Sequence, residues 1–192
     1  MFKKVIVVAA MMLFAGVANA DVIGIFADEQ GDACTGMVIP YAPSNIYIMA
    51  ILTETFDGGI TAAEFKVGNW VGSPGYPTGT ATVTATSDLV IGQLDTDYSI
   101  AWSAPQGAGN GLVLIASVEI LAFDAAWIGP DHRLEVMAGD DCGCLVTVDD
   151  VFEQIPAQGG LFWFNCSVPD DCVCLEPTAT EETSWSSVKA LF

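Results

Sequence analysis

Residues 45–70, NIYIMAILTETFDGGITAAEFKVGNW, decide the fold of this chain. Residues 46–55 are apolar almost throughout their first half, which is typical of a strand buried in a core. The acidic residue and two glycines that follow, Asp57-Gly58-Gly59, break that strand. Residues 60–70 then alternate apolar and polar side chains, as a strand with one buried face does. The stretch therefore predicts two consecutive β-strands joined by a turn.

Similar segments recur along the whole chain between turn signals. The predicted strands are residues 22–27, 37–40, 46–55, 60–70, 80–86, 89–93, 98–103, 112–123, 133–138, 145–148 and 161–165. Residues 112–123 are apolar enough for a buried helix, but flanking glycines and β-branched residues favour a strand. Short strands between frequent turns indicate an all-β fold, an antiparallel β-sandwich of the jelly-roll or Ig-like type.

The N-terminal segment has the pattern of a secretory signal peptide. Residues 1–20 combine Lys3 and Lys4, an apolar run, and a small-residue cleavage site at Ala18-Asn19-Ala20. The apolar run is short for a membrane anchor, which is the alternative interpretation. We expect cleavage before Asp21, a secreted (periplasmic or extracellular) protein, and no membrane span afterwards.

The net charge excludes several classes of partner. The full chain has 24 acidic and 5 basic residues, a formal net charge of −19. Removing the leader takes two of the basic residues and no acidic one, which leaves 3 against 24, or −21. So acidic a chain repels nucleic acid and anionic membranes, and we expect neither as a partner. Adaptation to a salty medium or simple solubility explains this acidity better than a specific cation-binding role does.

All six cysteines follow the leader and five of them crowd into the last third. They are Cys34, Cys142, Cys144, Cys166, Cys172 and Cys174. An even number in an exported protein predicts disulfides. Because bridging a Cys-x-Cys pair strains the ring, we expect the two such pairs to join each other and Cys34 to join Cys166. The alternative is a zinc site with four thiolates from the two pairs.

We expect no cofactor and leave the metal content unknown. Paired carboxylates occur at Asp95/Asp97, Asp140/Asp141, Asp149/Asp150 and Asp170/Asp171. Clustered carboxylates suit calcium, which is the candidate cation, although no EF-hand loop is present.

The sequence lacks the motifs of a hydrolase that uses a serine nucleophile and a histidine base. The one histidine, His132, follows a Gly-Pro turn, and no Gly-x-Ser-x-Gly motif supplies a nucleophile beside it. The paired carboxylates would serve a glycosidase if two of them faced each other across a cleft. We predict that the chain is not an enzyme.

Aromatic residues near loops are candidates for stacking on a sugar. Trp70, Tyr76 and Trp102 are the ligand-stacking candidates, and packing in the core is the alternative.

Residues 178–192 begin as a polar linker and end in a segment that fits a short helix, either docked on the sandwich or exposed as a sorting signal. The predicted domains are therefore a signal peptide (1–20), a β-sandwich (21–177) with a disulfide-rich C-terminal third, and a linker and tail (178–192).

Two sets of motifs resemble known proteins. Across residues 45–123 the pattern resembles cohesin-type β-sandwiches, with the matching positions Gly59, Ile60, Ala63, Phe65, Gly111, Leu112 and Phe123. Gly68-Asn69-Trp70 stands where that family carries a Tyr-Asp pair, and this departure counts against dockerin binding. The Gly24-x-x-x-Asp28 segment and the Trp-containing tail resemble uncharacterised bacterial secreted proteins, which implies Gram-negative export.

These observations predict a secreted, non-enzymatic β-sandwich module. It binds a protein or a glycan, or it forms part of the cell envelope or an extracellular structure. The alternative is a secreted polysaccharide hydrolase that uses two carboxylates.

Overall fold

The computed structural model describes residues 20–52, 58–74, 76–109, 111–124, 132–166 and 172–174. Residues 1–19 of the predicted signal peptide and the predicted tail helix lie outside these residues, and the predicted domain boundaries stay predictions. No helix in the described ranges has the length and apolar character that crossing a membrane requires.

Strands make up the regular structure of the described residues. They are β1 (Asp21–Phe26), β2 (Thr35–Gly36), β3 (Pro43–Ile51), β4 (Ile60–Gly68), β5 (Gly79–Ala85), β6 (Leu89–Gln93), β7 (Asp97–Gln106), β8 (Leu112–Ala122), β9 (Arg133–Met137), β10 (Val146–Asp149), β11 (Gln154–Gly159) and β12 (Leu161–Phe164). The apolar segment at 112–123 is therefore a strand, as its glycines and β-branched residues indicated.

The strands form two main layers that share β11 and a smaller third sheet. The first layer has the order β5-β8-β3-β1-β11, and the second has the order β6-β7-β4-β10-β11. The third sheet, β4-β9-β12-β2, continues from the second half of β4. The all-β sandwich is confirmed, but its sheet is mixed, because β1 pairs with β11 and β12 with β2 in parallel.

One hydrophobic core lies between the layers. Ile25 and Ile48 of the first layer and Phe65 and Ile100 of the second belong to the same cluster and are almost wholly buried. Burying each such side chain contributes about 1.5–3 kcal/mol. The core explains the alternation in β4 from Ala63 onward: Ala63, Phe65 and Val67 are buried and point inward, and Glu64 points outward.

One predicted strand is wrong, and one strand of the structure was not predicted. Residues 37–40 are not a strand; the short strand β2 precedes them, and the Asn165 side chain bonds the N–H and the carbonyl of Val38 instead (both 3.0 Å). Strand β11 was not predicted, because its sequence QIPAQG contains a proline and reads as a loop.

Candidate binding face

The outward side of the second layer carries small and apolar side chains. Two rows cross β6, β7, β4, β10 and β11, since residues opposite each other in paired strands project from the same face. The first row is Leu89, Ala101, Ala62, Val148 and Gln154; the second is Ile91, Ser99, Glu64, Val146 and Pro156. We call these ten residues the outer face.

Strand β6 gives the outer face its largest exposed apolar side chains. Leu89 is 60% exposed and Ile91 is 69% exposed. Both line a shallow depression of about 140 Å³ that extends to Val146 and Val148 on the other side of β4. An exposed apolar patch of this continuity is typical of a surface that binds a partner.

A single carboxylate stands in the middle of the outer face. Glu64 lies between Ser99 of β7 and Val146 of β10, and its side chain is partly exposed. The sequence marked Glu64 only as a polar position in an alternating strand. Nothing in the sequence of β6 indicates that Leu89 and Ile91 are exposed. Sequence reasoning therefore missed the outer face.

A tight turn formed by residues 140–144, the cysteine turn, lies against Glu64. The Cys142 Sγ is 3.0 Å from Glu64 Oε1, and the Cys144 N–H donates to that Sγ over 2.9 Å. The Gly143 N–H donates to the Gly139 carbonyl over 3.0 Å, which closes the turn.

Two charged contacts fasten the cysteine turn to the sheet. The Asp141 N–H donates to Asp97 Oδ2 over 2.9 Å, and Lys66 forms an ion pair with Asp140. The turn therefore holds Cys142 beside the carboxylate of Glu64.

The six cysteines form three pairs, as the count indicated, but the predicted partners are wrong. Cys34 pairs with Cys174, Cys142 with Cys144, and Cys166 with Cys172. The two Cys-x-Cys segments do not meet, because the cysteine turn lies on β4 whereas the Cys174 carbonyl accepts from the Leu161 N–H of β12 (2.7 Å). In this arrangement the two segments are not placed to supply four thiolates to one zinc ion. Gly143, with a φ of 65°, allows the turn that brings Cys142 and Cys144 together.

The three stacking candidates do not form one surface. Trp70 and Trp102 are partly buried and pack against the core. The Trp102 Nε1 donates to Thr86 Oγ1 over 3.1 Å at the edge of a polar depression of about 590 Å³. Tyr76 is 38% exposed and its hydroxyl bonds the Asn69 side chain beside His132.

Several of the paired acids hold turns together. Asp149 is buried, and its Oδ1 accepts from the N–H groups of Val151 (3.0 Å) and Glu153 (2.7 Å). Asp97 and Asp140 fasten the cysteine turn. Asp170 and Asp171 lie outside the described residues, and calcium binding stays a prediction.

One group of three candidate metal ligands occurs in the described part of the chain. It consists of Glu64, Cys142 and Cys144, whose ligand atoms all lie within 4.8 Å of one another. Cys142 is exposed at this point and the other two are partly exposed.

Comparison with known proteins gives a likeness to cohesin structures. No protein-family model matches the sequence, and no curated protein matches it. A cohesin solved in the Coh-OlpA–Doc918 complex from Clostridium thermocellum is similar with a TM-score of 0.41 and 10% identity, over 76% of this chain and 99% of that one. The sixth cohesin of Acetivibrio cellulolyticus scaffoldin B, solved with a Cel5 dockerin, has a TM-score of 0.40 and 14% identity, over 78% and 100%.

Proposed function

We propose that this chain is a non-enzymatic module that binds a protein partner through the outer face. The observation that carries the proposal is the exposed apolar surface of β6, β7, β4 and β10, with Leu89 and Ile91 projecting from its edge. Burying such side chains against a partner releases about 25 cal/mol for each Å² of apolar surface.

The chemistry of the outer face favours a protein over a glycan. Sugar rings stack on exposed aromatic side chains and take hydrogen bonds from polar groups around them. The outer face has no aromatic side chain, and its polar members are Glu64, Ser99 and Gln154. Two of the aromatic candidates, Trp70 and Trp102, pack against the core.

Charge narrows the class of partner further. The chain is strongly acidic, and Glu64 is the single ionisable residue of the ten that define the outer face. The complementary surface is therefore an apolar ridge with one lysine or arginine placed to meet Glu64. The long-range attraction to a basic partner would raise the association rate and weaken with added salt.

Export to an oxidising compartment is part of the proposal. Three cysteine pairs suit a protein that works outside the cytoplasm, since disulfides form and persist there. The leader predicted at residues 1–20 supplies the route.

The test compares variants of the outer face with a variant of the opposite layer. Ile91→Glu and Leu89→Glu place a charge in the apolar patch, and Val83→Glu does the same on β5, where Val83 is 38% exposed. Each variant is used as immobilised bait for the surface fraction of the producing cells. A protein that the parent chain retains is then purified and titrated against all four baits.

We expect the parent and Val83→Glu to bind alike and the two outer-face variants to lose at least about tenfold in affinity, or 1.4 kcal/mol. Circular dichroism of the variants checks that they fold. Equal binding by all four chains would contradict the proposal, as would binding that only Val83→Glu abolishes. Self-association of the parent in sedimentation, abolished by Ile91→Glu, would identify the partner as a second copy and overturn the basic partner proposed here.

A further inference from the structure

The cysteine turn places two sulfurs and a carboxylate oxygen at one point of the surface. Glu64 Oε1 and the sulfurs of Cys142 and Cys144 lie within 4.8 Å of one another. Cys142 is exposed and only two residues from its partner, whereas Cys34 is 3% exposed and joins a residue 140 positions away. Access to an attacking thiol is therefore much better at Cys142 than at Cys34.

We propose that Cys142 and Cys144, once reduced by a dithiol, form with Glu64 a three-ligand site for a thiophilic divalent cation of the zinc type. Reduction moves two electrons and two protons from the dithiol to the Cys142–Cys144 bond, and the dithiol leaves as its own disulfide. Binding of the cation then releases the two thiol protons to solvent. The site would be empty when the pair is oxidised and loaded when it is reduced.

The dimensions of the cluster fit such a cation. Zinc binds cysteine sulfur at about 2.3 Å and carboxylate oxygen at about 2.0–2.2 Å in a tetrahedron, so its ligand atoms lie between about 3 and 4 Å apart. The three ligand atoms here already lie within 4.8 Å, and side-chain rotation in an exposed turn supplies the remaining adjustment. The exposure of Cys142 leaves a fourth position open to water.

The backbone of the cysteine turn already supports a thiolate at Cys142. The Cys144 N–H donates to the Cys142 Sγ over 2.9 Å, and hydrogen bonds of this kind orient metal ligands and favour their charged form. The bonds from Gly143 to Gly139 and from Asp141 to Asp97 hold the turn in place whether or not the sulfurs are joined.

The charges around the pair favour a cation over a thiol-exchange activity. A catalytic thiol is activated by nearby positive groups that stabilise its thiolate. Here the group in contact with Cys142 is the carboxylate of Glu64, and Lys66 is held by Asp140. Two thiolates beside a carboxylate repel one another, and a divalent cation removes that repulsion.

Cobalt(II) is the probe for the site, because its absorption reports thiolate ligands and tetrahedral geometry. The chain with all six cysteines is reduced under anaerobic conditions, the reductant is removed, and Co²⁺ is added. We expect a thiolate-to-cobalt charge-transfer band for one bound ion, which Zn²⁺ displaces. Glu64→Gln should weaken Co²⁺ binding by at least about tenfold, since it removes a charged ligand.

Matched cysteine variants decide which pair is responsible. The double variant C142S/C144S should lose the cobalt band, whereas C166S/C172S, which removes the other short-range pair, should keep it. A band that survives in C142S/C144S, or that is absent from the reduced parent chain, overturns the proposal.

Alkylation provides a second measurement that does not depend on colour. Zn²⁺ should protect Cys142 and Cys144 of the reduced chain from a thiol reagent and leave Cys166 and Cys172 reactive. Equal labelling of the two pairs in the presence of Zn²⁺ would contradict the site. Neither readout involves a protein partner, so a failure here and a failure of the outer face are distinguishable.

Discussion

The Thr147 hydroxyl donates a hydrogen bond to the Asp21 carboxylate over 2.6 Å, and both side chains are fully buried. Asp21 is the first residue of β1 and Thr147 lies in β10, so the bond reaches across β11 and joins the two main layers where they meet. A buried carboxylate needs such donors, because its desolvation costs free energy unless hydrogen bonds replace the lost water.

Replacing the hydroxyl should therefore be costly. We expect Thr147→Val to lower the free energy of unfolding by about 1–3 kcal/mol, because the Asp21 carboxylate stays buried without that donor. Thr147→Ser, which keeps the hydroxyl, should recover most of the loss. Thr82→Val, the same change on the exposed strand β5, is the control and should stay within about 0.5 kcal/mol of the parent. Urea unfolding measures all three, and equal effects at positions 147 and 82 would refute the role of the bond.

The carboxylate of Asp28 organises the loop that leads from β1 to Cys34. The Asp32 backbone N–H is the main cause that holds the pKa of Asp28 below its ordinary value; desolvation opposes it, and the N–H groups of Ala33, Gln30 and Gly31 add to the lowering. A lowered pKa in the folded state stabilises the fold above the ordinary carboxyl pKa, and this contribution is lost as the pH falls through the folded pKa.

We expect Asp28→Asn to be less stable than the parent at neutral pH. The difference should shrink as the pH falls from the ordinary pKa of an aspartate through the lowered pKa of Asp28, because the folded carboxylate takes up its proton at the end of that range and the contribution of its charge is then lost. Glu29→Gln, an equal change of charge at an exposed neighbour, is the control. Thermal unfolding across this pH range measures the difference in stability between the parent and Asp28→Asn. A difference that grows as the pH falls would contradict the prediction.

Two of the three cysteine pairs should differ in what they contribute to stability. Cys34–Cys174 closes a loop of 140 residues and Cys166–Cys172 a loop of 6. On loop-closure entropy alone, the first contributes up to about 5 kcal/mol and the second about 2 kcal/mol. We expect C34A/C174A to unfold at lower denaturant than C166A/C172A. Peptide mapping of the unreduced parent checks the pairing, and a Cys34–Cys166 peptide would contradict it.

Phe65 should be among the most sensitive positions of the core. It is fully buried in β4, and its ring lies 5.5 Å from the Tyr98 ring, centroid to centroid. We expect Phe65→Ala to cost about 3–5 kcal/mol, because the cavity adds to the lost burial. The control is Phe123→Ala, at a ring that is 39% exposed. Denaturant unfolding measures the loss of stability in both variants. A larger loss for Phe123→Ala than for Phe65→Ala would contradict the central place of Phe65 in the core.

Local pattern was sufficient to predict much of the fold. The alternation through Phe65 identified β4 and its buried face, and the apolar run at 112–123 identified β8. The sequence around Pro156 is polar and contains a proline, so its pattern did not predict strand β11. That strand forms because β1 and β10 pair with it on either side.

The candidate sites depend on contacts that sequence does not report. Leu89 and Ile91 are of the residue types that fill cores, and they are exposed because they project from the outward side of the second layer. Cys142 and Glu64 are in contact although 78 positions separate them in the sequence, and no motif spacing predicts such a contact. The partners of the cysteines were wrong for the same reason.

The parallel pairing of β1 with β11 constrains the order in which the protein can be completed. Asp21 pairs with Ala157, so the first strand to be synthesised waits for one of the last. Until then the apolar strand β1 can pair with β3 on one side while its other edge stays open, and open apolar edges invite aggregation. Folding dominated by such distant contacts is slow. Cellular factors that keep the unfinished chain from associating should therefore matter more for its yield than the stability of the finished sandwich.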